Sequence, residues 1–398
     1  MSLRTSPRSR SRPIRVLTAV PICDGHDSAI ITINFELLLH GIEVIYLGYH
    51  RSARDIARAA IQEDVQAVGI SSYNGGHVEF FTEVLHRLKR DGARDIGVFG
   101  GGGGTITPAD AKLMKRCGVD EIFFAGTPLA AMVEFVKRRY GRQRSADSLV
   151  RSLRASDSRG RSRPASDRHL AKLLSFSEGR SPASLHLSRL RNMPETHGSA
   201  SFPPIIGITG PGGAGKTTLI DELVLRFLLA KPRGRVAILS HDPSLVGAGA
   251  LLGDRAAMIY SQDDRVFMRS LATRGHAGGL SRATSRALDT LCSCHFDLVV
   301  VETAGIGQEA VPFKRAKMKS VLVMSPDYGS RLQLQKIAML DAADIIVVNK
   351  SDLPGAKTAS AEIEQRLERN RRGQQLIPTV AKRHRDPGVD QLFAELMG

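Results

Sequence analysis

The sequence predicts an α/β protein of two doubly wound parallel-sheet domains joined by a flexible basic linker. Three observations carry this. Residues 14–140 alternate short apolar runs with helix-like segments, residues 204–398 repeat the alternation, and residues 141–203 between them are rich in Arg and Ser. Apolar runs alternating with amphipathic stretches are the pattern of βα units, whose right-handed crossovers lay helices on both faces of a parallel sheet. A chain of 398 residues with 42% apolar side chains holds two or three ordinary cores.

In order, residues 1–13 form a basic tail expected to be disordered. The first domain offers five strand-like runs: IRVLTAV (14–20), EVIYLG (43–48), QAVGIS (66–71), IGVFG (96–100) and EIFFAG (121–126). Helical stretches such as SARDIARAAIQED (52–64) follow them. RQRSADSLVRSLRASDSRGRSRPASDR (142–168) is too polar to build a core and reads as linker, with a short helix at HLAKLLSF (169–176). The second domain opens with PPIIGITG (203–210) and continues through VAILS (236–240), DLVVVE (297–302), SVLVMS (320–325) and DIIVVN (344–349).

The net charge of +16 suggests nucleic acid until it is located. Residues 1–15 carry five Arg and no acid, and residues 137–195 carry fifteen Lys or Arg against five acids, leaving about +1 for the rest. Charge held in a tail and a linker, with no basic–aromatic motif, argues against nucleic acid as a partner. No apolar stretch approaches the roughly 18 residues of a membrane span. The tail lacks the apolar stretch of a secretory signal, and a transit peptide is the minor alternative to a plain basic tail. Four cysteines without framework spacing point to a reducing, cytoplasmic setting. Cys292 and Cys294 beside His295 lack a second pair and read as thiols near a helix end rather than a metal site.

GPGGAGKTT (210–218) has the spacing of a phosphate-binding loop and lies between a strand-like run and the helical LIDELVLRFLL (219–229), the context such a loop needs. Backbone N–H groups from Gly210, Gly212, Gly213, Ala214, Gly215 and Thr218 are expected to cradle phosphate oxygens. Lys216 is expected to reach the β and γ phosphates, and Thr217 to ligate Mg²⁺. Asn349, Lys350 and Asp352 match the NKxD pattern that reads guanine. A carboxylate at Asp352 accepts from both N1–H and the 2-amino group, which adenine does not offer, and each such bond is worth about 1.5–3 kcal/mol. TVAK (379–382) is a further loop for packing the base. Between these motifs, Glu302 is placed as a metal-linked acid, Gly305 as an N–H sensor of the γ-phosphate, and Asp242 and Asp254 as metal or water contacts. Asp242 also fits an Asx turn before Pro243. Ile306 stands where Ras-like enzymes have a water-orienting Gln, with Gln308 two residues on, so slow intrinsic hydrolysis is expected. A basal turnover near 10 per second would rule that out.

His26, flanked by Asp24 and Asp27 after the first apolar run, is by itself either a turn histidine or a ligand. Asp24-x-His26, Ser71-Ser72 and the run Gly100–Gly104 make residues 16–135 resemble the cobalamin-binding domain of B12-dependent acyl-CoA mutases. GPGGAGKTT, DPS, GALLGDR, VETAGIGQ and NKSD make residues 203–396 resemble the G-protein chaperone linked to those mutases. Their order, with SSYNGGHVEFF and MRSLATR, is most similar to the front half of the fused isobutyryl-CoA mutases.

The resemblance implies a flavodoxin-like cobalamin-binding domain at 14–140 and a P-loop G domain at 204–398, with adenosylcobalamin, GTP/GDP and Mg²⁺ as cofactors. His26 would take the lower axial position on cobalt, with Asp24 accepting from its other ring nitrogen. Ser71, Ser72, Gly100, Gly101 and Gly102 would line a slot for the displaced nucleotide tail. Lys216, Asp242 and Glu302 carry over as catalytic, and Thr217, Asp242, Asp254 and Glu302 as Mg²⁺ ligands. The family has Gly three residues after the His, where this chain has Ala29, and the basic stretch VPFKRAKMK (311–319) departs from it as well. A mutase barrel takes about 250 residues and is expected on a separate large subunit. An adenosyltransferase and an oligomeric state follow from the same resemblance. The other readings are a stand-alone GTPase regulator whose B12-like domain senses or delivers cofactor, and a truncated remnant of the fused enzyme.

Overall fold

The computed structural model describes residues 13–22, 24–26, 28–141, 166–178, 202–244, 249–305, 318–328, 338–370 and 372–398. Most of the tail, most of the linker, Ile306, Gln308 and the basic stretch up to residue 317 lie outside the described residues.

The five predicted strands of the first half appear as β1 (Arg15–Ala19), β2 (Glu43–Tyr46), β3 (Ala67–Ser71), β4 (Gly97–Gly101) and β5 (Glu121–Phe123). Helices α1 (Ser28–Leu39), α2 (Ala53–Gln62), α3 (His77–Arg90), α4 (Pro108–Cys117) and α5 (Leu129–Tyr140) follow them in turn. β1 is buried along its whole length, the condition of a strand covered by helices on both faces. Capping boxes start α2, where Ser52 and Asp55 bond each other's backbone N–H, and α4, where Thr107 and Asp110 do the same ahead of Pro108.

The second half supplies β6 (Ile205–Thr209), β7 (Val236–Asp242), β8 (Ala250–Leu252), β9 (Val266–Ala272), β10 (Leu298–Glu302), β11 (Met318–Met324), β12 (Ile345–Val348) and β13 (Gln375–Pro378). Seven of these form a parallel sheet in the order β13-β12-β11-β6-β10-β7-β9. The first sheet has the order β5-β4-β3-β1-β2-β8. Its last strand is therefore contributed by the second half, pairing Glu43 with Ala250 and Ile45 with Leu252 in parallel. The sequence places residues 250–252 with the GTPase motifs, yet Ala250 and Leu252 pack into the same core as Leu17, Ile45 and Val68.

The short helix expected in the linker spans Asp167–Glu178 and is wedged between the halves. Leu170, Ala171 and Leu174 join a core with Phe267, Leu288 and Val299. No helix among the described residues is long and apolar enough to cross a membrane.

Candidate functional site

Two groups of predicted site residues fall at the carboxyl ends of the two sheets, where open α/β sheets bind ligands. In the second sheet the phosphate loop lies between β6 and the helix Lys216–Ala230, flanked by β10 and β11. Gly215 has φ 88°, and a Cβ there would sit 2.4 Å from Asn349 Nδ2. Its absence lets Asn349 donate to the Ala214 carbonyl at 2.9 Å. Asn349 Oδ1 accepts from Thr379 Oγ1 at 3.1 Å and Ala381 N–H at 3.0 Å. One buried amide thus latches NKxD, TVAK and the phosphate loop together. Asp352 pairs with Lys382, and the hydrogen bond from that ammonium holds its carboxyl below the usual range.

Lys216 Nζ donates to the carbonyls of Gly210 (3.0 Å) and Pro211 (3.2 Å), and burial lowers its pKa. Thr217 Oγ1 donates to Glu302 Oε1 at 2.9 Å. Ser240 donates to Asp254 and, at 3.4 Å, to Glu302 Oε2. Asp242 Oδ2 is buried without a partner. Burial, then repulsion from Asp254, pushes Glu302 up to about 8. Burial, then Asp254 and Glu302, raises Asp242 well above its ordinary value, and burial raises Asp254. Such crowding of carboxylates around one ammonium asks for further positive charge. Among the described residues no three His, Cys, Asp or Glu side chains converge closely enough to chelate a metal by themselves. Mg²⁺ in phosphate-binding sites takes a hydroxyl, one or two carboxylates, waters and phosphate oxygens. The hard oxygens of Thr217, Asp242 and Glu302, one of them orphaned, fit that requirement. Gly305 lies against the loop, its carbonyl accepting from Gly212 N–H at 3.1 Å.

In the first sheet, order β3-β1-β2 puts the switch point at the end of β1, where Asp24 and His26 lie. Asp24 is fully buried. Its Oδ1 accepts from His26 N–H at 3.0 Å and meets His26 Nδ1 at 2.8 Å, while Oδ2 accepts from Tyr73 N–H. Burial alone would raise Asp24, but these hydrogen bonds outweigh it and lower its pKa. With Nδ1 held by a carboxylate, Nε2 is the nitrogen left for a ligand, on a side chain 63% exposed.

Residues 170–397 match the family described as Methylmalonyl Co-A mutase-associated GTPase MeaB, more than half of the chain. The chain belongs to the MeaB family. Residues 14–133 match the B12 binding domain, so a B12-binding domain is fused here to a MeaB-type GTPase. Over 406 residues the chain is 37% identical to the fused isobutyryl-CoA mutase of Cupriavidus metallidurans, covering 98% of this chain and 36% of that one. The corresponding mutase of Geobacillus kaustophilus is 36% identical over 401 residues, 96% of this chain and 36% of the other. The chain thus spans about a third of the length of the fused mutases it matches. Over 149 residues it is 34% identical to the mitochondrial methylmalonic aciduria type A homolog of Mus musculus, 37% of this chain and 35% of that one.

In this MeaB-family chain the glycines Gly100–Gly102 pack closely against neighbouring backbone. A Cβ on Gly100 would meet Ile70 O at 2.3 Å, on Gly101 Phe123 O at 2.4 Å, and on Gly102 Ser72 O at 1.9 Å. The space these glycines clear is filled by the protein's own backbone. Ser71 ends β3 half-buried, and Ser72 is buried with its N–H bonded to Gly101 O at 2.9 Å. Tyr73, which sequence reasoning passed over, holds Asp24 through its N–H and lays its ring 4.9 Å from the His26 ring. The only signal for it was its place directly after the two serines. His241 was also passed over: it is buried, with Nδ1 2.7 Å from the Glu302 carbonyl, and burial lowers it to about 4.

Proposed function

We propose that the chain is a cobalamin-binding subunit fused to its own GTPase chaperone, which gates loading or repair of adenosylcobalamin in a B12-dependent acyl-CoA mutase of the isobutyryl- or methylmalonyl-CoA type. The barrel that binds the acyl-CoA would come from a partner subunit. GTP and water become GDP and phosphate at the second site. There Lys216 would turn from the Gly210 and Pro211 carbonyls to the β and γ phosphates, and Asp352 from Lys382 to guanine. Thr217, Asp242 and Glu302, with Asp254 beside them, would hold Mg²⁺, which neutralises developing phosphate charge.

At the first site His26 would offer Nε2 to cobalt, and Asp24 would fix the tautomer and strengthen the donor. The bound cofactor supplies radical chemistry for carbon-skeleton rearrangement. The observation that carries this half is the fully buried Asp24 gripping both His26 nitrogens, backbone and ring, at a sheet switch point. Ile31, Phe35 and Leu39 recur every four residues on α1 and are 36%, 54% and 74% exposed, an apolar stripe suited to a barrel partner beside the cofactor loop. An adenosyltransferase is the class of protein that would supply the cofactor. That Cys117, Cys292 and Cys294 are in no disulfide among the described residues accords with a cytoplasmic setting.

The test is an absorbance titration of adenosylcobalamin into wild type and His26→Ala. The wild type is expected to give a base-off, histidine-ligated spectrum and the variant not to. Identical spectra would sink the axial assignment. Restoration of acyl-CoA mutase activity on mixing with a barrel-bearing subunit separates the subunit reading from a stand-alone regulator.

A further inference from the structure

The two halves are fastened through an edge strand whose backbone is satisfied by side chains. β9 is the last strand of the second sheet, and such an edge leaves a row of N–H and C=O groups without a strand to pair with. Here residues of the cobalamin-binding half supply the partners. Val266 O accepts from Arg58 (2.6 Å) and Gln62 (3.0 Å), and Met268 N–H donates to Gln62 Oε1 (3.3 Å). Ser270 N–H donates to both oxygens of Glu63 at 3.1 Å, and Ser270 O accepts from Arg15 at 3.1 Å. Arg15, Gln62, Glu63, Ser270 and Arg255 are all buried.

Glu63 is the hub. Besides Ser270 it accepts from Arg15 Nη2 (2.8 Å) and from Arg255 Nε (3.1 Å). Arg255 comes from the second half, is fully buried, and also donates to Gln62 Oε1 at 3.1 Å and to Met268 O. Its chain neighbour is Asp254, whose carboxylate accepts from Ser240 in the nucleotide site and is stabilised there by Lys216 and Thr217. Both residues share the single helical turn Asp254–Ala257, which starts one residue after β8 is paired into the cobalamin-binding sheet. One turn therefore has one side chain anchored in each half.

We propose that Glu63 and Arg255 are positioning residues for the nucleotide site: the cobalamin-binding half fixes the turn that presents Asp254, and Mg²⁺-dependent retention of guanine nucleotide depends on that anchor. The proposal rests on the reading of Asp254, Thr217 and Glu302 as a Mg²⁺–guanine nucleotide site. Glu63 lies outside the span matched by the MeaB family and contributes no group to that site. A wholly structural role would lower stability and leave the Mg²⁺ requirement of nucleotide retention where it was.

The experiment measures release of a fluorescent GDP analogue from the full chain across a Mg²⁺ series, with melting temperature recorded for each variant. Glu63→Gln keeps the shape of the hub and removes its charge. It is expected to raise the Mg²⁺ concentration for half-maximal retention by about tenfold, the scale on which outer-shell partners act on a metal site. Arg54→Ala, which removes the exposed ion pair with Asp264 across the same interface, is expected to leave that midpoint within about twofold, as surface pairs contribute little. If Glu63→Gln does not fold, Arg255→Lys keeps the cation and loses the fork, with the same expectation. A folded Glu63→Gln or Arg255→Lys with the wild-type Mg²⁺ midpoint overturns the proposal, and so does an equal shift in Arg54→Ala. A wild type that binds no guanine nucleotide instead overturns the reading of the site beneath it.

Discussion

Glu302 gives the most direct handle on the nucleotide site, because its titration makes stability depend on pH and on Mg²⁺ in opposite senses. Burial and Asp254 raise its carboxyl from an ordinary 4.5 to about 8. The folded chain therefore holds a proton that the unfolded chain has released, so its contribution is complete at pH below 4.5 and is lost as pH rises through 8. Below 6.5 the opposite effect of His241 intrudes, since its lowered value of about 4 makes the folded state bind its proton less tightly than the unfolded state. Between pH 6.5 and 8 Glu302 acts without it. That window covers about 1.5 units at about 1.36 kcal/mol each, or roughly 2 kcal/mol lost in the absence of metal. For a domain the size of the MeaB-matched region this is a fall of roughly 4–8 °C in melting temperature. The assay is thermal unfolding at pH 6.5, 7.0, 7.5 and 8.0, with chelator or with Mg²⁺ and GDP. Wild type in chelator should fall by at least that amount, since Asp242 and Asp254 are raised as well, while Glu302→Gln should fall by less and wild type with Mg²⁺–GDP should stay nearly level. A level wild type in chelator, or an equal fall in Glu302→Gln, refutes the reasoning.

Three further outcomes are expected. Asp352→Asn removes the acceptor that suits guanine, and competition between GTP and other nucleoside triphosphates should show guanine preference falling by ten- to a hundredfold, at about 1.4 kcal/mol per factor of ten. Asp24→Asn should leave cobalamin bound but weaken histidine ligation in the absorbance spectrum, since Asp24 sets the His26 ring through Nδ1. Phe35→Glu puts charge on the exposed stripe of α1 and should abolish co-sedimentation with a barrel-bearing subunit while leaving GTP hydrolysis unchanged.

The central strands were legible because a strand buried on both faces reads as a largely apolar run: IRVLTAV and DLVVVE mark β1 and β10. The phosphate loop and NKxD were legible because fixed spacings do fixed chemistry, and the structure latches them through Asn349. Strand β8 was not, because three residues carry no period and its pairing partner lies two hundred residues away. The interface was hidden for a related reason. Val266–Ala272 was not among the strand-like runs, and nothing in it says that Gln62 and Glu63 replace a neighbouring strand. Tyr73 escaped notice because its contribution to Asp24 is a backbone N–H, which any residue provides. The glycine run was legible as a constraint on space but not as to what fills it.

Two domains on a flexible basic linker would couple most simply by moving relative to each other. The described interface favours another route. Breaking it in one piece would strand the fully buried Arg255 without Glu63, part Arg274 from Glu43, and take Gln62 and Glu63 from the β9 backbone. Leaving even one such charge buried without its partner costs about 3–5 kcal/mol, and wetting all of them together forfeits the β2–β8 pairing as well. A nucleotide whose two states differ by less than that sum cannot separate the halves, yet it can shift a single turn. The span from Gly253 to Ala257 meets this condition: it has one carboxylate in the nucleotide site, one guanidinium in the other half, and Arg51 Nη2 donating to the Ala256 carbonyl at 2.8 Å from the loop beside the cofactor residues. A shift of that turn would reach the loop after β2 directly, at the carboxyl end of the cobalamin-binding sheet, with both domains still docked.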